Sequence, residues 1–598
     1  MAITRVAIQG ALEAERSFVQ KGGRVEVKSA DWEDGYLVLV VRSIKGQRRV
    51  VIDEALEGVR AKWGDELEAG GLIKLVDSDN DRIVIQVAAG GMPLIGSQVW
   101  LFPGDFLGPL IDMWAGEMGT LAAKRLRQTK EETEPLQPIL PLGDLFADLR
   151  ERQVRAVQSS AFRSSIIIGP PGTGKTYTIG ALGAYLLKRF PKSRILLLGP
   201  TNVAVDTALV SIDDWLQRTA KQEIAKKAKR VGAYFDPRKF VDRPHLLAPG
   251  IAEKGAEFLL LEASEPPKSK VGEHIRWKDK LSALRKELGA DISSVASQSR
   301  LVATTVSSAI TWNETFREAG PWHFVICDEA SQVIGPAALM VPAMGQQTIF
   351  AGDPCQLSPI VQCDEAREKT LLAKTAFDLF AHARTTMLNE QSRMAVGICQ
   401  AVSTTFYDGE LKVCRKALAD PEWKTQRSPF FVDGREIPRV CFDQVSEPAT
   451  YSQNYGGFIR FQSAKLIETI IDNLAGSYVD PQDILVLTPF RAQRTLIRNF
   501  LKRRHPEISV STVHRAQGSE RTLVIFDPVD GTSSFLKGRD GERLINVAIS
   551  RAKAHVIVPF VRDDLENSAL SLLHKIASKS FQTAGNFAHP FTFSSLAN

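Results

Sequence analysis

The 598-residue chain contains no run of about eighteen apolar residues, so no segment reads as a membrane-spanning helix and no membrane partner is expected. Its opening, MAITRVAIQGALEAERSFVQ, lacks the apolar core of a signal peptide because acidic residues interrupt it. Six cysteines (Cys327, Cys355, Cys363, Cys399, Cys414 and Cys441) form no CxxC pair and no Cys/His spacing suited to zinc or to an iron–sulfur cluster. These absences predict a reducing compartment: cytoplasmic, with the nucleoplasm left open. Charge imbalance is small too. Lys and Arg total 75 against 69 Asp and Glu, and the resulting +6 permits a polyanionic partner without requiring one. Internal repeats and low-complexity tracts are missing, and the tail FQTAGNFAHPFTFSSLAN carries no signal. What remains is a globular composition, 44% apolar and 24% charged, long enough for about four compact domains.

Residues 10–21 read as a short helix. GRVEVKS, GYLVLVVRS, QRRVVID, GLIKLVD, DRIVIQV and SQVWLF then alternate or run apolar between turn residues up to about position 105, which predicts a small six-stranded barrel. Within it DSDND (Asp77, Asp79, Asp81) imitates the start of a calcium loop, but Arg82 and Ala88 replace the required glycine and glutamate, so a tight turn is expected. Residues 106–132 look helical and EPLQPILPLG, 134–143, reads as a linker. From 149 onward strands alternate with helices, the pattern of parallel sheets flanked by helices, in two blocks. The expected division is 1–133 (helix, barrel and stalk helix), a linker 134–148, 149–380, and 381–598. Lys-rich KQEIAKKAKR and RWKDKLSALRKEL interrupt the third segment between about 210 and 300, as a solvated helical face or a nucleic-acid contact.

Three stretches carry chemistry. SSIIIGPPGTGKTYT sets an apolar strand before Gly169, Pro170, Pro171, Gly172, Thr173, Gly174, Lys175 and Thr176, a full Walker A pattern. Bare glycines let backbone N–H groups turn onto phosphate oxygens, and the following helix points its positive end at the same charge. Lys175 would neutralise the terminal phosphates of ATP and the Thr176 hydroxyl would ligate Mg²⁺. HFVICDEASQ ends a second strand, expected beside the first, in Asp328 and Glu329; the former would hold Mg²⁺ and the latter orient and deprotonate the attacking water. TIFAGDPCQLSP offers Gly352, Asp353 and Gln356, whose uncharged amide suits sensing the γ-phosphate. A fourth stretch, INVAISRAK at 545–553, puts Arg551 inside an apolar, helix-like run, where by itself it reads as a core helix with one arginine reaching solvent.

The ordered series GPPGTGKT, GPTNVAVDT, LVATT, DEASQ, GDPCQLSP, QSRM, LTPFRAQ, VHRAQGSE and INVAISRAK resembles the superfamily 1 helicases, over about 149–562. The most similar group is that of the nonsense-mediated-decay helicase, senataxin and the immunoglobulin-mu-binding-protein helicase. The resemblance implies an α/β fold of two tandem RecA-like P-loop domains with an N-terminal β-barrel and a helical insertion. It further implies that nucleotide lies in a cleft between the two domains, with Arg393 of QSRM and Arg551 reaching the γ-phosphate. Gln153 of LRERQVRAV would read adenine, and Tyr177, Gly518 and Glu520 would complete the nucleotide-binding set. Thr201, Asn202, Thr304, Thr305, Thr488, Pro489 and His514 would follow a nucleic-acid strand, gripping phosphates without reading bases, although any one of these threonines equally suits a strand-end hydroxyl bonded to backbone. Departures from the family are Ser392 for an adenine-stacking tyrosine, Pro354 for histidine, Ala516 for phenylalanine and His514 for aspartate; TVHRAQGSE is more similar to RecD-type helicases.

The implied activity is an ATP-dependent helicase or translocase on single-stranded DNA or RNA, moving 5′ to 3′ as a monomer. The alternative is a nucleic-acid-stimulated ATPase that acts as a clamp or remodelling switch and separates no strands. A stand-alone P-loop kinase or GTPase would leave Arg393, Arg551 and everything after 381 without a purpose.

Overall fold

A computed structural model describes residues 4–44, 52, 56–77, 80–102, 105, 107–131, 134–218, 222–232, 234–247, 257, 258, 260–288, 292–432, 434–516, 518–583 and 593. The expected strand QRRVVID (save Ile52), Asp79 of DSDND, and the tail beyond 583 (save Phe593) lie outside them.

Six strands close the N-terminal barrel: β1 (Gly23–Glu33), β2 (Tyr36–Ser43), β3 (Arg60–Trp63), β4 (Ala69–Asp77), β5 (Arg82–Ala89) and β6 (Gln98–Phe102), in the order β1-β2-β5-β4-β3-β6. Alternate residues (Val25, Val27, Leu37, Leu39, Ala61, Trp63, Ile83, Ile85, Val99 and Leu101) point inward and are buried, which is what a period-two pattern dictates. The third strand is RAKW, four residues too short for alternation to announce. At the β4–β5 hairpin Asp77 pairs with Arg82, and the Asn80 side chain donates to Asp77 Oδ2 at 2.7 Å. The predicted helix 106–132 is two helices, Gly108–Ala115 and Glu117–Glu131, broken where the Gly116 N–H caps the first on Asp112 and Met113.

The first parallel sheet comprises β7 (Ser164–Ile168), β8 (Ile195–Gly199), β9 (Ala228–Arg230), β10 (Leu301–Thr305), β11 (Phe324–Cys327), β12 (Gln347–Gly352) and β13 (Arg384–Met387), in the order β13-β7-β12-β11-β8-β10-β9. The strand that precedes Asp328 is therefore not the immediate neighbour of the Walker strand as expected; β12 stands between them. A second five-stranded parallel sheet runs Val440–Gln444, Ala552–Phe560, Arg521–Phe526, Ile484–Thr488, Ser509–Thr512. The inner residues of its central strands, 484–487 and 523–526, are apolar because helices such as Phe461–Leu474, Arg491–Leu501 and Gly538–Ile549 cover the faces. Two RecA-like sheets and one barrel make up the α/β fold.

The Lys-rich insertion is partly seated on the barrel. Val271 and Ile275, on helix Val271–Leu288, pack on Val38, Leu75 and Val84. Around that contact Lys74 pairs with Asp279 at 2.8 Å, Lys278 pairs with Glu57, and the Gly272 N–H donates to Asp34 at 2.9 Å. The chain divides into two compact units. One holds the barrel and most of the first sheet (1–167, 176–352, 359–386); the other holds the second sheet (387–598) together with loops 168–175 and 353–358.

His555, on strand Ala552–Phe560, is fully buried with its ring stacked 4.2 Å from Phe430; Nε2 accepts from the Phe430 N–H and Nδ1 faces the Pro438 carbonyl. Burial, reinforced by the Arg439 charge, pushes its pKa down to about 3. The unfolded chain takes up that proton near pH 6.5 and the folded one does not, so the neutral ring's contribution is full above 6.5 and is lost as pH falls toward 3. The melting temperature should fall over this window, with His555 responsible for a loss on the order of 4 kcal/mol. A His555→Gln variant should show a correspondingly flatter dependence of melting temperature on pH.

Candidate nucleotide and nucleic-acid sites

The Walker loop leaves β7 and enters the fifteen-residue helix Lys175–Arg189 at Lys175 itself, which puts the lysine and the helix's unsatisfied N–H groups at one point. Gly172 and Gly174 hold φ of +74° and +77°, the left-handed region that glycine tolerates. The Thr173 hydroxyl and N–H both donate to the Pro170 carbonyl, at 2.7 and 3.2 Å, and fix the loop's shape.

Gly172 is also a point of close approach. A Cβ there would come within 2.5 Å of Arg393 Cβ, and the Ser392 N–H donates to the Gly172 carbonyl at 3.0 Å. Arg393 is presented by Gln391, whose buried amide oxygen accepts from the N–H groups of Arg393 and Met394, each at 2.7 Å. The Arg393 guanidinium forms an ion pair with Glu520 and donates to the Ser550 carbonyl at 3.2 Å, immediately before Arg551. Arg551 is 4% exposed, so it does not reach solvent as a lone helix residue would; it opens strand Ala552–Phe560. The Walker loop, Arg393 and Glu520 are thus linked inside the second unit, and the Ser550 carbonyl that Arg393 reaches precedes Arg551 in the chain. Beside Ser392, the Trp423 indole donates to its carbonyl at 2.5 Å and Arg427 lies 4.5 Å over the Trp423 ring.

Loop 353–358 is held by a buried network that joins Asp353 to Tyr407, Asn546 and Arg543. Asp353, 1% exposed, accepts at Oδ2 from the Gln356 amide (2.7 Å) and the Tyr407 hydroxyl (2.6 Å), and at Oδ1 from the Cys355 N–H (3.0 Å). Asn546 donates to the Tyr407 oxygen at 2.8 Å and to the Cys355 carbonyl at 2.7 Å, while Arg543 donates to the Pro354 carbonyl at 2.9 Å. Burial and the Asp353 charge push the Tyr407 hydroxyl well above its ordinary pKa, so it stays a proton donor. Because the amide nitrogen of Gln356 is turned onto Asp353, its oxygen is the end left to accept a proton. Asn546 had a signal in sequence, a polar residue inside the apolar run INVAIS; Tyr407 had none.

In the first unit, Asp328 (2% exposed) and Glu329 follow β11; the Glu329 N–H donates to Asp328 Oδ1 at 2.7 Å. Glu329 adopts φ +51°, a conformation that a non-glycine residue reaches only under local strain. Thr176 begins that unit's share of the helix. Tyr177 packs 5.0 Å from Trp215 and accepts from Arg218 at 3.2 Å. Gln153, 3% exposed, uses its amide oxygen to accept from the Arg150 N–H at 2.9 Å, a helix-start contact. The Thr201 hydroxyl, exposed, caps Ala204, and Asn202 accepts from Arg230 at 2.7 Å. Thr304 is fully buried, and Thr305 caps helix Val306–Thr311 through Ser308.

In the second unit Thr488 is fully buried, its hydroxyl accepting from the Phe490 N–H at 3.3 Å; Pro489 is buried, and His514 and Gly518 are exposed. Of the seven predicted strand contacts, Thr201, Asn202 and His514 present side chains to solvent. Thr305 and Thr488 behave as strand-end hydroxyls bonded to backbone. Thr488, Pro489 and His514 share the carboxyl edge of the second sheet, whereas Glu520 and Arg551 sit at the amino ends of its strands Arg521–Phe526 and Ala552–Phe560.

Two family models, each described as an AAA domain, match residues 148–243 with 261–364, and 369–559. Among curated proteins, the chain is 25% identical to the regulator of nonsense transcripts 1 homolog of Arabidopsis thaliana over 69% of its own length and 32% of that protein. It is 27% identical to the DNA polymerase alpha-associated DNA helicase A of Saccharomyces cerevisiae (66% of this chain, 62% of that one) and 29% to its Schizosaccharomyces pombe namesake (69% and 64%). The chain therefore spans from about a third to just under two thirds of these relatives. The solved arterivirus nonstructural protein 10 helicase is 13% identical, covering 92% of this chain and 80% of that one at a TM-score of 0.36, a likeness too distant to bear on the fold.

Tyr407→Phe and Asn546→Ala each remove a partner from a buried carboxylate network and should each destabilise the chain by about 1–3 kcal/mol in denaturant unfolding. The double variant should lose less than the sum of the two, since both act on the same hydroxyl.

Proposed function

Because the chain belongs to the superfamily 1 helicases, we propose that it hydrolyses ATP and uses the energy to move 5′ to 3′ along single-stranded DNA or RNA, separating duplexes as it goes. The observation that carries this reading is the seating of Arg393 against the Walker loop: the Ser392 N–H donates to the Gly172 carbonyl, and the Arg393 guanidinium, which a simple P-loop kinase would not need, reaches the Ser550 carbonyl one residue before Arg551.

In this reading the backbone N–H groups of 169–175 and Lys175 hold the phosphates, and Arg393 and Arg551 offset the charge that develops on the γ-phosphoryl oxygens. Arg393 exchanges its Glu520 partner for phosphate. Glu329 takes the proton of the attacking water, and the Gln356 amide senses the γ-phosphate. The residues suit a magnesium ion: a helix-start hydroxyl, Thr176, and a buried carboxylate, Asp328, would hold it, and it would neutralise phosphate charge when bound. His514, at the proposed strand-binding edge, and Glu520, at the nucleotide edge, are six residues apart in sequence.

Lys175→Ala should abolish ATP turnover. Arg551→Ala should retain nucleotide binding and lose about 10³ to 10⁵ in turnover, and near-normal turnover in that variant would refute the assignment. Matched DNA and RNA oligomers should stimulate hydrolysis, and duplexes with 5′ tails should be separated while 3′-tailed ones are not. Stimulation without displacement on either would instead identify a clamp or switch.

A further inference from the structure

A row of aromatic rings crosses the carboxyl edge of the second sheet. Tyr451 and Phe458 face each other across the hairpin Thr450–Ser452/Gly457–Ile459, with centroids 5.7 Å apart. Phe458 meets Phe490 at 6.3 Å, Phe490 meets Phe535 at 6.0 Å, and Phe535 meets His514 at 6.2 Å. The row draws on three neighbouring strands: Phe490 follows Ile484–Thr488, His514 follows Ser509–Thr512, and Phe535 lies in the segment after Arg521–Phe526.

These rings are not core. Tyr451 is 59% exposed, Phe458 41% and Phe535 46%; His514 is exposed and Phe490 half-buried. A contiguous run of exposed rings is a marker of a binding surface, whereas isolated exposed apolar residues are ordinary. Cations are interleaved with the rings: Arg491 follows Phe490, Arg515 follows His514, and exposed Lys537 lies two residues beyond Phe535. The carboxylates near the rings in sequence are occupied: Asp530 accepts from the Thr532 N–H and hydroxyl at 3.0 and 2.7 Å, Asp540 from the Ser358 hydroxyl and Arg543, and Glu447 from the Gln462 N–H. Alternating rings and positive charge fit a ligand that alternates flat bases and phosphates; an apolar protein surface would gain nothing from the cations. A duplex hides its base faces, so the ligand is single-stranded.

We propose that Tyr451, Phe458, Phe490, Phe535 and His514 form a base-stacking track for single-stranded nucleic acid, adding a sequence-tolerant grip on bases to any hold on the phosphates. It deepens, and rests on, the reading of the chain as a nucleic-acid motor. Stacking needs a π-face, which leucine lacks while preserving apolar bulk.

The test compares binding of the full chain to a labelled oligothymidylate and to an abasic oligomer of the same length, by fluorescence anisotropy at several salt concentrations. The wild type should prefer the base-bearing oligomer by about tenfold or more. Phe458→Leu/Phe535→Leu should erase that preference while leaving abasic affinity and the salt slope unchanged, and Tyr451→Leu, at the most exposed ring, should reduce it with no change in melting temperature. Equal wild-type affinity for the two oligomers, or a preference that survives the leucine variants, overturns the track and leaves the motor reading standing. Binding to neither oligomer overturns both.

Discussion

The absent side chain of Gly172 is the constraint on which the candidate nucleotide site depends. A methyl group there would collide with Arg393 Cβ at 2.5 Å, so only glycine lets the Ser392–Arg393 backbone lie against the Walker loop. Everything downstream inherits that seating. Gln391 shapes the turn, Arg393 reaches Glu520 and the Ser550 carbonyl, and Arg551 follows at the start of its strand. Gly172 is usually explained by phosphate approach in loops of this kind; in this chain it answers a second demand, from its own polypeptide.

The second sheet separates two chemistries by strand direction. Parallel strands put all their amino ends on one edge and all their carboxyl ends on the other. The charged pair Arg393–Glu520 and Arg551 occupy the first edge, and the rings with Thr488, Pro489 and His514 occupy the second. Loop 353–358 is fixed to helix Gly538–Ile549 by Asn546 and Arg543, and that helix leads directly to Arg551. The amide of Gln356 and the arginine therefore share one rigid support.

Much of the fold was legible because its signals are local. Period-two alternation identified five of the barrel strands, and apolar runs before turn residues located three strands of the first parallel sheet, those before the Walker loop, Asp328 and Asp353. Strand β3 was missed because four residues cannot establish a period, and the order of the first sheet, with β12 beside the Walker strand, is a long-range choice that no window of sequence encodes. The arginines were readable only through resemblance, since Arg551 alone looks like a surface residue and is 4% exposed. Tyr407 and the aromatic row were invisible for a related reason: their members are scattered over more than eighty residues and become neighbours only on folding.

The seat of helix Val271–Leu288 on the barrel has a consequence for dissecting this chain. The two partners are about two hundred residues apart in sequence, yet Val271 and Ile275 pack on Val38, Leu75 and Val84, and Asp279 and Lys278 find counter-charges on the barrel. Excising the barrel would leave an oily stripe and two orphaned charges on the excised protein's surface. The barrel is thus a structural lid for the insertion, and shortened versions that omit it would report on sticky, self-associating material more than on the two parallel-sheet domains they were meant to isolate.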